Sequence, residues 1–435
     1  MLTLGQKIKA IRKEKGLTQA ELVEDRITRN QLSLIENGIN NPSISTLEFI
    51  AQRLSVPMSY FLSNDDFSMH KCQRLVTRAE SLLDLGENDK VIIEIENFLS
   101  SINGLEDHTM GDLLGRVYAL LGIAYYKSDK PKAKQMLLES IRHLELTDHT
   151  SYLSKSYNYL GVIYDDEDNS EQAEYYLSKA NNLLTNVNLD NVIHKLNIVY
   201  NLSLIYLKQK KYTIIIDFIN DNLKYSKKYK IFHNFGAFNM LLSAAYRYTF
   251  NYKQAILCTL KAIEYFQFSD DEANKYACYI NLGIYYRLSG DYENSIKYLD
   301  MAKKYFEYTE KTGKALNSNA EIIKTMFLAD NRTDHFDRLL NDIINDLNDD
   351  NENIPDLLSI KGVYQLENNN IDDAYKLFTE AEALAKNPEH LEFISYAYTG
   401  LSKICKHNNE WEKAYKYLDK ANALPHKAIK NISFE

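Results

Sequence analysis

The stretch Leu17-Thr18-Gln19-Ala20-Glu21-Leu22, continued by Ile27-Thr28-Arg29-Asn30-Gln31-Leu32-Ser33-Leu34-Ile35-Glu36-Asn37-Gly38, reads as two short helices joined by a turn. Each helix opens on a hydroxyl followed three residues later by a carboxylate or amide, Thr18/Glu21 and Thr28/Gln31. Such a pair satisfies the orphan backbone N–H groups of a helix start reciprocally. The same signature at Thr3/Gln6 and Ser45/Glu48 predicts one further helix on either side. Ile8, Ile11, Leu22, Ile27, Leu32, Ile35, Leu47, Ile50 and Leu54 recur at helical spacing and supply the core of a small bundle. Arg29, Asn30 and Ser33 are then left on the outer face of its third helix.

That arrangement is a helix-turn-helix, a fold that lays its second motif helix in the major groove of duplex DNA. A polar link, Ser63-Asn64-Asp65-Asp66, closes the domain, so residues 1–66 are expected to form a DNA-binding unit and residues 67–435 a second one. Gly (15) and Pro (6) are too scarce for a β-rich chain of 435 residues, which predicts an all-α protein. No apolar run approaches the roughly 20 residues that span a bilayer. Lys7, Lys9, Arg12, Lys13 and Lys15 stand where an export signal needs apolar residues, so a soluble cytoplasmic protein without a membrane partner is expected. Cys72, Cys258, Cys278 and Cys405 are widely separated, which predicts ordinary thiols instead of a disulfide framework or zinc site.

Charge is distributed unevenly. Residues 1–64 hold eight Lys/Arg and six Asp/Glu, whereas the remainder holds 43 and 54. Only the N-terminal domain avoids repelling phosphate, and its slight positive charge predicts that useful DNA affinity needs two copies on two half-sites. A homodimer held through the long body is the expectation.

The body repeats. A Leu-small-x-x-aromatic signature recurs as Leu121-Gly122 to Tyr125, Leu160-Gly161 to Tyr164, Leu202-Ser203 to Tyr206, Leu242-Ser243 to Tyr246 and Leu282-Gly283 to Tyr286. Weaker copies centre on Gly362 and Ser402, with a degenerate one near Ile322, and the period is about 40 residues. Small residues follow twelve positions later (Ala173, Ala255, Ser295, Ala374, Ala414) and nineteen later (Ala180, Ala262, Ala302, Ala381, Ala421). The pattern resembles the tetratricopeptide repeat, which implies eight or nine helix pairs over residues 67–424 stacked into a right-handed superhelix with a concave groove.

In such repeats, positions two, three and six before the small anchor and four after it face the groove. They hold Arg116, Lys155, Asn158, Asn197, Tyr200, Asn201, Arg247, Asn281 and Arg287. Asparagine offers a donor and an acceptor to the backbone of an extended peptide, and arginine holds a carboxylate in two-point fashion. The same asparagines could equally solvate helix faces. No catalytic motif, phosphate-cradling glycine loop, cofactor site or metal-ligand spacing is present. Asp165-Asp166-Glu167-Asp168 lacks the alternating ligands and glycine of a calcium loop and reads as a solvated turn, and His143 and His149 are separated by a turn.

A lambda-repressor-like (XRE-type) helix-turn-helix followed by tetratricopeptide repeats resembles the cytoplasmic peptide-pheromone receptors of Gram-positive bacteria, the RRNPP family. The short turn Glu24-Asp25-Arg26-Ile27-Thr28, without the extra glycine of common helix-turn-helix regulators, matches one branch of it. The resemblance implies a non-enzymatic, homodimeric transcription regulator without cofactors. Its partners would be a double-stranded DNA operator and a short signalling peptide, in a quorum-sensing circuit controlling sporulation, virulence or toxin genes. By the same resemblance Gln19 contacts phosphate, and Thr28, Arg29, Asn30 and Ser33 face the major groove. Leu34 departs from the pattern, since relatives commonly carry Arg there. Gln31 belongs to the same surface unless its amide closes the capping box, and the loop Asn37 to Ser43, with Asn37 and Asn40, faces the sugar-phosphate backbone. The alternative function is a repeat protein that grips a response regulator or hastens loss of its aspartyl phosphate, although no Gln is placed by motif for that chemistry.

Overall fold

The structure is a computed structural model that describes residues 3–23, 26–58, 61, 64–102, 111–330, 336–347, 351–386 and 391–424. All extended elements among them are helices. The first four are α1 (Leu4–Glu14), α2 (Gln19–Val23), α3 (Arg29–Glu36) and α4 (Ile44–Arg53). Thr3 and Thr28 close complete capping boxes with Gln6 and Gln31, and Thr18 and Glu21 exchange the same pair of bonds. The fourth box does not form. The N-cap of α4 is Ser43, whose hydroxyl accepts from the Thr46 N–H at 3.2 Å; with Thr46 three residues on instead of Glu or Gln, the S/T-x-x-E/Q pattern does not mark it.

The body continues as α5 (Asn64–Asp84), α6 (Asn88–Ile102), α7 (Gly111–Tyr125), α8 (Lys130–Leu144), α9 (Thr150–Asp166), α10 (Ser170–Leu183), α11 (Val192–Lys208) and α12 (Tyr212–Tyr229). It goes on with α13 (Phe235–Tyr248), α14 (Tyr252–Phe268), α15 (Glu272–Leu288), α16 (Tyr292–Tyr308), α17 (Thr312–Leu328) and α18 (Phe336–Asp346). The last four are α19 (Ile354–Glu367), α20 (Ile371–Leu384), α21 (Ile394–His407) and α22 (Trp411–Ala423). The degenerate copy near Ile322 is helix α17. Asn64-Asp65-Asp66, expected as a polar link, is the first turn of α5; Ser63 lies outside the described residues. The chain folds as two compact units, Met1–Ile205 and Tyr206–Glu435, with the boundary inside α11.

Small anchors set how closely paired helices approach. An added Cβ would stand 2.6 Å from Leu137 Cγ at Gly122 and 2.5 Å from Leu177 Cγ at Gly161 in the first unit. In the second, it would stand 2.5 Å from Leu299 Cγ at Gly283, and at Gly362 and Gly400 it would strike opposite edges of the Phe378 ring. Where serine replaces glycine its hydroxyl turns onto the backbone, as Ser203 Oγ does to Val199 O at 2.7 Å and Ser402 Oγ to Ala414 O at 2.7 Å. The alanines of the partner helices, among them Ala173, Ala180, Ala255, Ala262, Ala302, Ala374 and Ala381, are fully buried against these anchors and their neighbours.

Turns between paired helices recur with the same backbone. Asp168, Phe250, Gly290, Asn369 and Asn409 are left-handed with φ between 56° and 87°, and the following N–H returns to a carbonyl five residues back, as from Asn251 to Tyr246 and from Asp291 to Tyr286. Asn169, Asn251 and Asp291 then cap the next helix with their side chains. Gly161→Ala is expected to lower stability by about 1 to 3 kcal/mol, because the added Cβ would stand 2.5 Å from Cγ of the buried Leu177 and 3.2 Å from the Ala173 carbonyl, so the core must shift; chemical denaturation followed by circular dichroism measures it, and an unchanged midpoint would show that the helices can separate freely.

Candidate nucleic-acid interface and ligand grooves

Under the third helix lies a buried ion pair. Ile8, Ile11 and Arg12 share one stripe of α1, and Leu32, Ile35 and Glu36 share one stripe of α3, so each stripe carries one charged residue into the core. Arg12 Nε donates to Glu36 Oε1 at 2.6 Å and Nη2 to Oε2 at 3.0 Å, while Nη1 donates to the Leu17 carbonyl at 2.7 Å. Gln19 Nε2 adds a bond to Glu36 Oε2 at 2.8 Å. Through this pair α1, α2 and α3 are tied to one carboxylate, and the Leu17 carbonyl is tied to its guanidinium partner. Burial pushes the Glu36 carboxyl up, but the bonds from Arg12 and Gln19 and the charges of Arg12 and Lys9 outweigh it and hold the group below its ordinary range. At Gly5, α1 lies directly on the backbone of Ile35 and Glu36, where a Cβ has no space.

On the opposite side, Thr28, Arg29 and Asn30 are exposed at the start of α3, and Ser33 is half-buried one turn on. Asn37 and Asn40 are exposed in the following loop. Gln31 Oε1 accepts from the Thr28 N–H at 3.0 Å, so its amide closes the capping box. Gln19, expected at phosphate, has an amide N–H committed to Glu36. The turn residues Glu24 and Asp25 lie outside the described residues.

The first unit has a groove of about 840 Å³ walled by α5, α7, α9 and α11. It brings together Lys155, Asn158 and Asn197 of the expected set, with Glu80, Asp84, Lys127, Asp190 and His194. Asn201 Nδ2 donates to Asn158 Oδ1 at 3.0 Å, which fixes the orientation of the Asn158 amide on the groove wall. His194 is held down to about 4 by burial and by the charges of Lys155 and Lys195, so it stays neutral, with Ser154 Oγ 3.1 Å from its Nε2. Arg116 is half-buried and lies over the Tyr152 ring at 5.0 Å. Tyr152 in turn donates to Glu80 Oε1 at 2.6 Å. Tyr200 and Asn281 are half-buried on α11 and α15, and neither lines a described groove.

The arginines of the second unit depart from expectation. Arg287, expected to await a peptide carboxylate, is buried, with Nη2 and Nε donating to Glu392 Oε2 at 2.8 and 3.2 Å. Its Nη1 donates to the Glu321 carbonyl at 3.2 Å and sits 2.6 Å from Glu321 Oε2, a charge contact without hydrogen-bond alignment. Arg247 Nη2 reaches Glu392 Oε1 at 3.2 Å. Arginine holds carboxylates here as the sequence implied, but they belong to the chain itself, which corrects the assignment of Arg287 to an open groove. Lys324 extends the network to Glu321 Oε1 at 3.0 Å, Asn353 Oδ1 at 2.7 Å and Asp356 Oδ2 at 3.1 Å. Sequence reasoning missed Glu321, Lys324, Asp356 and Glu392; charged residues on otherwise apolar helices such as α17 and α19 were the available signal.

The acidic stretch Asp165 to Asp168 covers the last two residues of α9 and the start of the turn to α10, with Asp166 paired to Lys130 at 3.0 Å and Glu167 to Lys134 at 2.7 Å. His149 pairs with Asp112 and His143 stacks on Tyr118. All four cysteines are free and buried, and burial raises their thiols out of the reactive range. No described helix is long and apolar enough to cross a membrane.

Residues 8–61 match the helix-turn-helix family. A curated relative, the immunity repressor protein of Bacillus phage phi105, is 45% identical over 65 residues, which is 15% of this chain and 45% of the repressor. The match thus spans less than half of that relative. Among solved structures, the apo form of RapI aligns over 81% of this chain and 97% of its own, with 15% identity and a TM-score of 0.58. The apo form of the quorum sensor NprR from B. thuringiensis aligns over 81% and 98%, with 14% identity and a TM-score of 0.58. The class is therefore an N-terminal helix-turn-helix domain joined to a helical-repeat body. At these identities the likeness of the body is one of fold.

Removing Glu36 leaves Arg12 buried without its partner, so Glu36→Ala is expected to cost the N-terminal domain about 3 kcal/mol, and Arg12→Met combined with Glu36→Leu to recover much of it. Because the carboxyl is depressed, its contribution is present at neutral pH and is lost as pH falls below about 4, and Glu36→Gln should flatten that dependence. Limited proteolysis of the full chain across pH reports both, and a pH profile shared by wild type and Glu36→Gln would count against the ion pair's role.

Proposed function

We propose that this protein is a homodimeric DNA-binding transcription regulator whose repeat body senses a short peptide. The reading rests on the start of α3, where a closed capping box and a buried ion pair beneath hold Arg29 and Asn30 toward solvent. A helix entering the major groove offers these first residues to base edges, where Arg pairs with guanine and Asn with adenine by two bonds each. Thr28, Ser33, Asn37 and Asn40 flank them and position the backbone, and Gln19 braces the helix from below. Residues 1–66 are assigned to DNA, and residues 67–435 to dimerisation and sensing. The near-neutral head, with eight basic and six acidic residues over positions 1–64, favours paired heads on paired half-sites.

The sensing role is placed in the groove of the first unit. Asn158 and Asn197 offer amides and Lys155 a positive charge, while Glu80, Asp84 and Asp190 provide the opposite sign, a surface suited to an extended peptide with a basic residue. Arg116, Tyr200, Asn201 and Asn281 support this wall or lie beside it. The fold shared with a protein described as a quorum sensor accords with this role.

Selection from a randomised duplex pool by the full chain should yield a two-half-site sequence. Arg29→Ala should weaken binding to it by about 1 to 3 kcal/mol, roughly tenfold to a hundredfold, with relaxed base preference and an unchanged circular dichroism spectrum. Undiminished, equally selective binding would rule out α3 as the recognition helix. Sedimentation of the full chain at micromolar concentration should give a dimer. Peptides retained from cell extract and identified by mass spectrometry should bind Asn158→Ala about tenfold more weakly, since one peptide bond group is left unpaired; equal binding would move the peptide off this groove.

A further inference from the structure

Three cations and three carboxylates meet inside the second unit. Arg247 comes from α13, Arg287 from α15, Glu321 and Lys324 from α17, Asp356 from α19, and Glu392 from the residues just before α21. Five of the six are engaged on several sides. Asp356 Oδ1 accepts from the Phe393 N–H at 2.8 Å and Oδ2 from the Glu392 N–H at 3.2 Å, so it holds the backbone that carries Glu392. Arg247 differs: among the described residues its one hydrogen bond is the 3.2 Å contact with Glu392, and its Nε is enclosed without an acceptor. It lines an open cleft of about 440 Å³ together with Glu392, Lys386, Asn351 and Asn353.

A guanidinium N–H enclosed without an acceptor is an unmet donor, and a carboxylate oxygen is the acceptor that a guanidinium pairs with most strongly. The six charges already balance, so a further anion enters without excess negative charge when one resident carboxylate leaves. Glu321 and Asp356 cannot leave readily, because Lys324 bridges them and Asp356 anchors two backbone N–H groups. Glu392 can. It lies on a connection instead of within a helix, it borders the cleft, and its backbone anchor to Asp356 does not depend on its side chain.

We propose that this cleft is a carboxylate-binding site whose resident occupant is the Glu392 side chain, and that a ligand bearing a carboxylate binds by displacing Glu392 from Arg247 and Arg287. The site is built from residues of the second unit alone and does not depend on the groove assigned to peptide sensing in the first. Its ligand class is a free carboxylate, as at a peptide C-terminus or on a small organic acid. Glu392 acts as an internal competitor that keeps the site closed to weak binders, and its release breaks its own links to α13 and α15.

N-acetyl-alanine and its amide differ only in the carboxylate and serve as probes on the full chain, titrated by calorimetry and melting curves at constant ionic strength, with inorganic phosphate as a third probe. Wild type should bind N-acetyl-alanine and not the amide. Glu392→Gln, which empties the site of its resident carboxylate, should bind N-acetyl-alanine at least tenfold more tightly than wild type, and adding Arg247→Gln should abolish the gain. Should Glu392→Gln fold poorly, N-acetyl-alanine but not the amide should raise its melting temperature, and Arg247→Gln alone should bind at least tenfold more weakly than wild type. Equal binding of acid and amide, no gain on removing Glu392, or binding of phosphate in place of the carboxylate would each overturn the proposal.

Discussion

The close approach of paired helices at a residue without a bulky side chain is the constraint on which the rest of the body depends. At Gly161, Leu177 occupies the volume a Cβ would need, and Leu137, Leu299 and Phe378 do the same at Gly122, Gly283 and Gly362. A small anchor lets a large side chain from the second helix reach the axis of the first, and the fully buried alanines let the two backbones stay close along their length. Once that spacing is set, neighbouring first helices present the same face in the same register. The residues four positions beyond the anchors, Arg247 and Arg287, then lie near enough to share one carboxylate.

Buried charge links helices that are distant in sequence. The Arg12–Glu36 pair joins α1 to α3; its guanidinium also donates to the Leu17 carbonyl, and its carboxylate accepts from Gln19. In the second unit the network from Arg247 to Glu392 links α13, α15, α17, α19 and the start of α21. Enclosed ion pairs contribute little net stability because desolvation opposes the attraction, but losing one partner is severe. Removing one member of such a network therefore costs more than the network contributes, because the remaining charges are left enclosed and unpaired.

The same geometry separates the surfaces that bear on function. The ion pair and capping box hold α3 while Arg29 and Asn30 remain exposed on it. In the first unit the asparagines pair with each other along the groove wall, Asn201 to Asn158, so one amide is oriented by the next. In the second unit the chain supplies its own carboxylate to its arginines. The two grooves thus differ in kind, one lined by amides and by charges of both signs and one already occupied from within.

Much of this was legible in the residue order. Helix starts at Thr3, Thr18 and Thr28, the core positions from Ile8 to Leu54, the 40-residue recurrence and the small anchors are all local properties, since capping and helical periodicity act over three or four residues and a repeated unit must repeat its packing residues. The start of α4 was misplaced by two residues because Ser43 and Ser45 are both competent caps and only the folded backbone chooses between them. What the arginines hold could not be read at all. Arg247 and Arg287 meet Glu392 across 145 and 105 residues, and Arg12 meets Glu36 across 24. The sequence by itself determined where helices begin and which apolar and small side chains pack inward. Only the tertiary structure decided which charges neutralise one another, because ionic partners are selected by distance in a low-dielectric interior and not by their order along the chain.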